Sequence, residues 1–277
     1  MKVVLRIFSI IALAVAILLA LDSRLKCVWY HIQSERILGE ITLALITDLH
    51  NCLYGEGQGQ LLQKIAEAQP DILLLGGDIF DDAYINDNGR TLVEGLAGTY
   101  RTYYVSGNHE WWSGRMHEFF SFLEAAGVSV LRGTSDLVEI NGSWLTIGGV
   151  DDPEVNSHDK TYMGFEEQLE AVASYAKEGN FNLLLAHRPE LARQYFSHNF
   201  DLVLAGHSHG GQLRIPLLLN GLYAPNQGLF PNLAGGCYVI GKGNLIVSRG
   251  LSKENTILPR IFNRPELVFI SLSNHRN

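Results

Sequence analysis

Asp201-Leu-Val-Leu-Ala-Gly-His-Ser-His-Gly-Gly211 is a short apolar run, rich in β-formers, that ends in Ala-Gly, two histidines and two glycines. Apolar runs of this length bounded by glycine read as buried strands of an α/β protein. In such sheets ligands bind at the carboxyl ends of the strands. His207 and His209 therefore leave one strand end together, on backbone that Gly206, Gly210 and Gly211 allow to bend sharply. An i, i+2 imidazole pair on a turn can present two nitrogens to one small volume. Hydrogen-bonding loop histidines would look the same, so the weight comes from the other strand ends.

Working outward, the apolar run Ile41–Thr47 ends in Asp48-Leu49-His50, and Asp71–Leu75 ends in Gly76-Gly77-Asp78. Arg101–Val105 ends in Ser106-Gly107-Asn108-His109-Glu110, and Asn182–Ala186 ends in His187. Between them, 61–69, 92–96, 116–126 and 164–177 carry helical patterns, which predicts parallel βαβ units. Asn141-Gly142 between two strand-like runs is a hairpin signal, and the hairpin explains it better than the glycosylation sequon it also forms. After His209 the pattern turns to strands and loops, at 212–215, 237–240, 245–247 and 267–270. The expected architecture is α/β, with two mixed β-sheets packed face to face and flanked by helices.

Composition bounds the partners. The net charge of -8 over 277 residues argues against a protein built to track nucleic-acid phosphates. Cys27, Cys52 and Cys237 make neither a disulfide framework nor a Cys-x-x-Cys zinc site. Residues 3–21 are almost wholly apolar and close to the length that crosses a bilayer. Their Ala-x-Ala pairs lie mid-run, so residues 1–21 read as an uncleaved transmembrane anchor, not a signal peptide. The flanking charges leave the side of the membrane open. Residues 22–40, with Trp29 and Tyr30, read as a juxtamembrane linker, and 41–277 as the globular domain that carries these strand ends. The expected location is the cell membrane, with one N-terminal pass.

Carboxylate, imidazole and one amide at five successive strand ends form a borderline donor set suited to Mn, Fe or Zn. The ordered blocks Asp48-x-His50, Gly77-Asp78, Gly107-Asn108-His109-Glu110, His187 and Gly206-His207-x-His209 resemble the calcineurin-like metallophosphoesterase superfamily. The later Gly210–Pro216 and Ser248–Leu251 stretches resemble its membrane-associated YkuE/YaeI-like phosphodiesterase branch. Glu110 stands where many relatives have Asp, and Ser252 where that branch often has Gly.

The resemblance implies a four-layer sandwich and a cofactor of two divalent metal ions. One would take Asp48, His50 and His209; the other would take Asn108, His187 and His207, with Asp78 shared. It implies hydrolysis of a phosphodiester, phosphomonoester or pyrophosphate by a metal-bridging hydroxide. His109, Asp78 and Asn108 would act in turnover, His109 beside the leaving oxygen and oriented by Glu110. Asn108 and His109 would touch the substrate; Arg249, read from its place in the Ser-Arg-Gly turn, either holds a substrate phosphate or makes a structural salt bridge. The membrane segment tilts the expected phosphoester substrate toward a lipid-linked one. A membrane-tethered metal-binding scaffold without turnover and a nuclease are the competing readings.

Overall fold

The computed structural model describes residues 2–83, 85–253 and 259–274. Its strands are β1 (Lys26–Gln33), β2 (Ile41–Ile46), β3 (Ile72–Gly76), β4 (Arg101–Val105), β5 (Ser129–Val130), β6 (Thr134–Ile140) and β7 (Ser143–Gly149). They continue as β8 (Phe181–Leu185), β9 (Leu202–Ala205), β10 (Tyr223–Ala224), β11 (Gly228–Leu229), β12 (Gly236–Ile240), β13 (Gly243–Val247) and β14 (Glu266–Ser273). The helices are α1 (Lys2–Ala20), α2 (Gly59–Ala68), α3 (Asp87–Leu96), α4 (Asn108–Trp112), α5 (Met116–Ala125), α6 (Val155–His158), α7 (Phe165–Tyr175) and α8 (Ala192–Tyr195).

Two six-stranded mixed sheets form, in the orders β1-β14-β2-β3-β4-β5 and β12-β13-β9-β8-β7-β6. Side chains alternate across each strand, and both faces are covered. Leu43 and Leu45 of β2 and Leu74 of β3 meet Leu183, Leu185, Leu202 and Leu204 of the other sheet in one buried cluster. Their neighbours Ala44, Ile46, Leu73 and Leu75 pack on the opposite face with Leu61, Ile65, Leu92 and Val93 of α2 and α3. Unbroken apolar runs with no polar alternation are what a strand between two layers requires.

Register then places the motifs. Ile46 pairs with Leu75 and Gly76 with Val105, so β2, β3 and β4 end level with one another. Leu185 pairs with Leu204, and Ala205 with Val247, so the second sheet ends level as well. The hairpin turns at Asn141 (φ 50°) and Gly142 (φ 77°), the left-handed pair that a two-residue turn needs.

Three expectations are corrected. Residues 2–20 do form a helix, but among the described residues no helix is long and apolar enough to cross a membrane. Val4, Leu5, Phe8, Ile10 and Leu13 are exposed on α1. The 22–40 stretch is no linker: β1 pairs in parallel with β14 along its whole length, and Trp29 stacks on Phe269. Its partner lies far along the chain, which local pattern cannot reveal. Residues 212–215 make single bridges at Leu213 and Ile215 instead of a strand, because Gly210 and Gly211 hold the chain in a left-handed bend.

Candidate metal centre and active site

Every motif block follows a level strand end by a residue or two, so the blocks meet above the sheets. Close approach sets the glycines. A Cβ at Gly107 would lie 2.2 Å from Asp78 Oδ1, and one at Gly206 2.5 Å from Asp48 Oδ2. Asp48, His50, Asp78, His207 and His209 all have φ between 45° and 64°. For residues with a Cβ this left-handed conformation costs on the order of 1–2 kcal/mol each. Five such residues in one site mark a backbone shaped for the side chains it presents.

Asp48, His50, Asp78 and His209 offer donor atoms that all lie within 4.8 Å of one another. Asp78, His187 and His207 do the same. Asp78 belongs to both groups, with its Oδ2 3.2 Å from His187 Nε2 and 3.5 Å from His50 Nε2. Asp48 Oδ2, His50 Nε2, Asp78 Oδ2, Asn108 Oδ1, His187 Nε2 and His209 Nδ1 are buried and, among the described residues, have no hydrogen-bond partner. A buried polar atom left so costs about 1–3 kcal/mol. Six together, all metal-donor types, fit divalent cations and fit little else.

Three of the four rings are held at their other nitrogen. His187 Nδ1 lies 2.8 Å from the Gly76 carbonyl, His50 Nδ1 3.2 Å from Asp81 Oδ2, and His207 Nε2 2.8 Å from Asn226 Oδ1. Burial works against charge on His187, but Asp78 outweighs it and raises the imidazole to about 10. Burial, then the His187 charge, lowers His207 to about 3.

His109 is the partly exposed member, with Nδ1 2.7 Å from Asp82 Oδ1 and its ring centroid 5.0 Å from that of half-exposed Trp112. Asp82, not Glu110, orients it. Glu110 instead accepts four backbone N–H groups: Gly107 and Asp78 on Oε2, Ile79 and Phe80 on Oε1. Burial and then the Asp78 charge push its carboxyl up to about 8, against those four donors. Arg249 does not open toward the cluster. Its guanidinium donates to Asn220 Oδ1 and the Gly235 carbonyl and lies 3.8 Å from Glu266, so its contacts are structural. Trp111 is buried and donates to Ser106 Oγ.

Asp81, Asp82 and Asn226 went unseen in the sequence. The Asp pair directly follows Gly77-Asp78-Ile79-Phe80 and offered a signal. Asn226, in a loop 19 residues beyond His207, offered none.

Residues 41–211 match the calcineurin-like phosphoesterase family. An uncharacterized metallophosphoesterase of Aquifex aeolicus is 30% identical over 275 residues, covering 95% of this chain and 99% of that one. The uncharacterized metallophosphoesterase YkuE of Bacillus subtilis is 28% identical over 218 residues, covering 77% and 72%. Against a longer Caenorhabditis elegans relative the chain spans only 38% of that protein's length. Among solved structures, TT1561 of Thermus thermophilus superposes with a TM-score of 0.51 at 14% identity, over 78% of this chain and 92% of that one. A match over most of the domain, joined to a relative aligned nearly end to end, places this chain in the calcineurin-like phosphoesterase family as a metal-dependent phosphoester hydrolase.

Proposed function

We propose that the chain hydrolyses a phosphodiester, phosphomonoester or pyrophosphate with two divalent cations of the Mn, Fe or Zn type. One is held by Asp48, His50 and His209, the other by Asn108, His187 and His207, with Asp78 serving both. The observation that carries this reading is the membership of Asp78 in two donor groups, with its Oδ2 unpartnered. When bound, the cations supply an acidified water as nucleophile and neutralise charge on the phosphoryl oxygens.

The chain's own residues do the rest. Asn108 Oδ1 is buried and without a hydrogen-bond partner among the described residues, as the donor atoms are, and its neighbour His109 is partly exposed. With Nδ1 engaged by Asp82, His109 would donate through Nε2 to the leaving oxygen. Trp112 beside it offers a flat apolar wall to the leaving group. The exposed apolar side chains of α1 support attachment at a membrane surface and a lipid-linked substrate.

The test is a metal-reconstituted screen of aryl phosphates, glycerophosphodiesters and nucleotide-sugar lipids, with and without vesicles. Turnover is expected only with added divalent metal. His109→Ala should lower kcat by about 100-fold while the metal content stays at two per chain. Loss of metal in that variant would make His109 a ligand; metal-independent turnover would end the proposal.

The His187 proton sets a pH dependence. A cation entering that donor group must displace a proton held to about 10, where an ordinary imidazole gives it up near 6.5. Affinity for that cation should rise by about tenfold per pH unit across this window. Metal titrations at pH 6.5, 7.5 and 8.5 check it, and a flat profile would refute it.

A further inference from the structure

The turn joining β10 to β11 reaches back over the site. We propose that Asn226 is a positioning residue for His207: its Oδ1 accepts from His207 Nε2–H and so turns Nδ1 toward Asp78 and His187. This inference rests on the two-cation reading above and adds a residue that no motif block contains.

The geometry supports it from both sides. An imidazole that donates through one nitrogen presents the other as an acceptor, so the partner of one nitrogen chooses the ligating one. Asn226 is itself held firmly. It has φ 59°, and the Tyr223–Ala224 and Gly228–Leu229 strands pair on either side of it. Next in the chain, Gln227 donates to Ser208 Oγ (3.2 Å) and the Leu233 carbonyl (3.1 Å), and accepts from Leu233 N (3.0 Å). Ser208 Oγ donates in turn to the Leu233 carbonyl at 2.8 Å. The loop is thus fastened to the residue beside His207, and the Asn226 amide arrives at His207 Nε2 as part of a braced unit.

Two substitutions separate the hydrogen bond from the backbone. Asn226→Gly removes the side chain while keeping the left-handed conformation without strain. Asn226→Asp keeps the acceptor. Metal content and stepwise affinity are measured with Mn and with Zn, and the tautomer of His207 is read by nitrogen-15 NMR of the metal-free protein.

Asn226→Gly is expected to weaken one of two cations by about 10–100-fold and leave the other within about twofold. Asn226→Asp should stay at or above wild-type affinity. The wild-type spectrum should show His207 protonated on Nε2. Unchanged affinity of both cations in Asn226→Gly, or an Nδ1-protonated His207 in the wild type, would overturn the proposal. If Asn226→Gly fails to fold, the wild-type tautomer decides alone. A wild-type chain that takes up only one cation would instead sink the reading it rests on.

Discussion

Asp78→Asn is expected to empty both cation positions and to lower kcat/KM by at least about 1000-fold, or about 4 kcal/mol of transition-state stabilisation. Asparagine has the same shape and keeps one oxygen to accept the His109 N–H, which Asp78 Oδ1 does at 3.0 Å. What it loses is the charge, and it turns an NH2 toward His187 and His50, now 3.2 and 3.5 Å from Oδ2. Two like-charged cations side by side repel strongly, and only an anion shared between them offsets this. Because Asp78 stands in both donor groups, its effect should exceed that of Asp48→Asn, which touches one. Metal content and turnover measured together on the two variants check this. Two cations per chain with near-normal turnover in Asp78→Asn would show that the groups are not joined through it.

Glu110→Ala is expected to destabilise the fold by about 3–5 kcal/mol, seen as a fall in Tm of about 10 °C or more. The carboxyl group is fully buried and ties Gly107 to Asp78, Ile79 and Phe80 by four N–H donors between 2.7 and 3.1 Å. Removing it strands all four, at about 1–3 kcal/mol each before relaxation. The ends of β3 and β4 would then lose the clasp that sets Asp78 against Asn108. Thermal unfolding of the metal-free proteins isolates this effect, since bound cations would stabilise both. A difference under about 1 kcal/mol would mean that the donors find other partners. If Glu110 merely oriented His109, stability would hardly move.

The two sheets were legible because their strands carry a strong local mark. An apolar run followed within a few residues by a donor-type side chain recurs at the ends of β2, β3, β4, β8 and β9, with glycine just before the donor at β3, β4 and β9. Asp48, His50, Asp78, His187, His207 and His209, whose donor atoms the fold brings together, stand out by residue type at those positions. Arg249 shows what a position alone leaves open between a substrate contact and a structural salt bridge. It follows β13 as His207 follows β9, yet its guanidinium turns to Asn220 and Gly235. β1 was missed because its pattern is half exposed and its partner, β14, lies more than 200 residues away.

Composition and spacing along the chain were enough to set the layer architecture, the donor inventory and the hairpin at Asn141-Gly142, since each depends on neighbours within a few residues. Only the folded chain could decide that Asp82 serves His109, that Asp81 serves His50, that Asn226 meets His207, and that Glu110 clasps backbone instead of a ring. Those choices turn on differences of an ångström or two between groups far apart in sequence. Hydrogen bonds distinguish such distances, and hydrophobic periodicity does not.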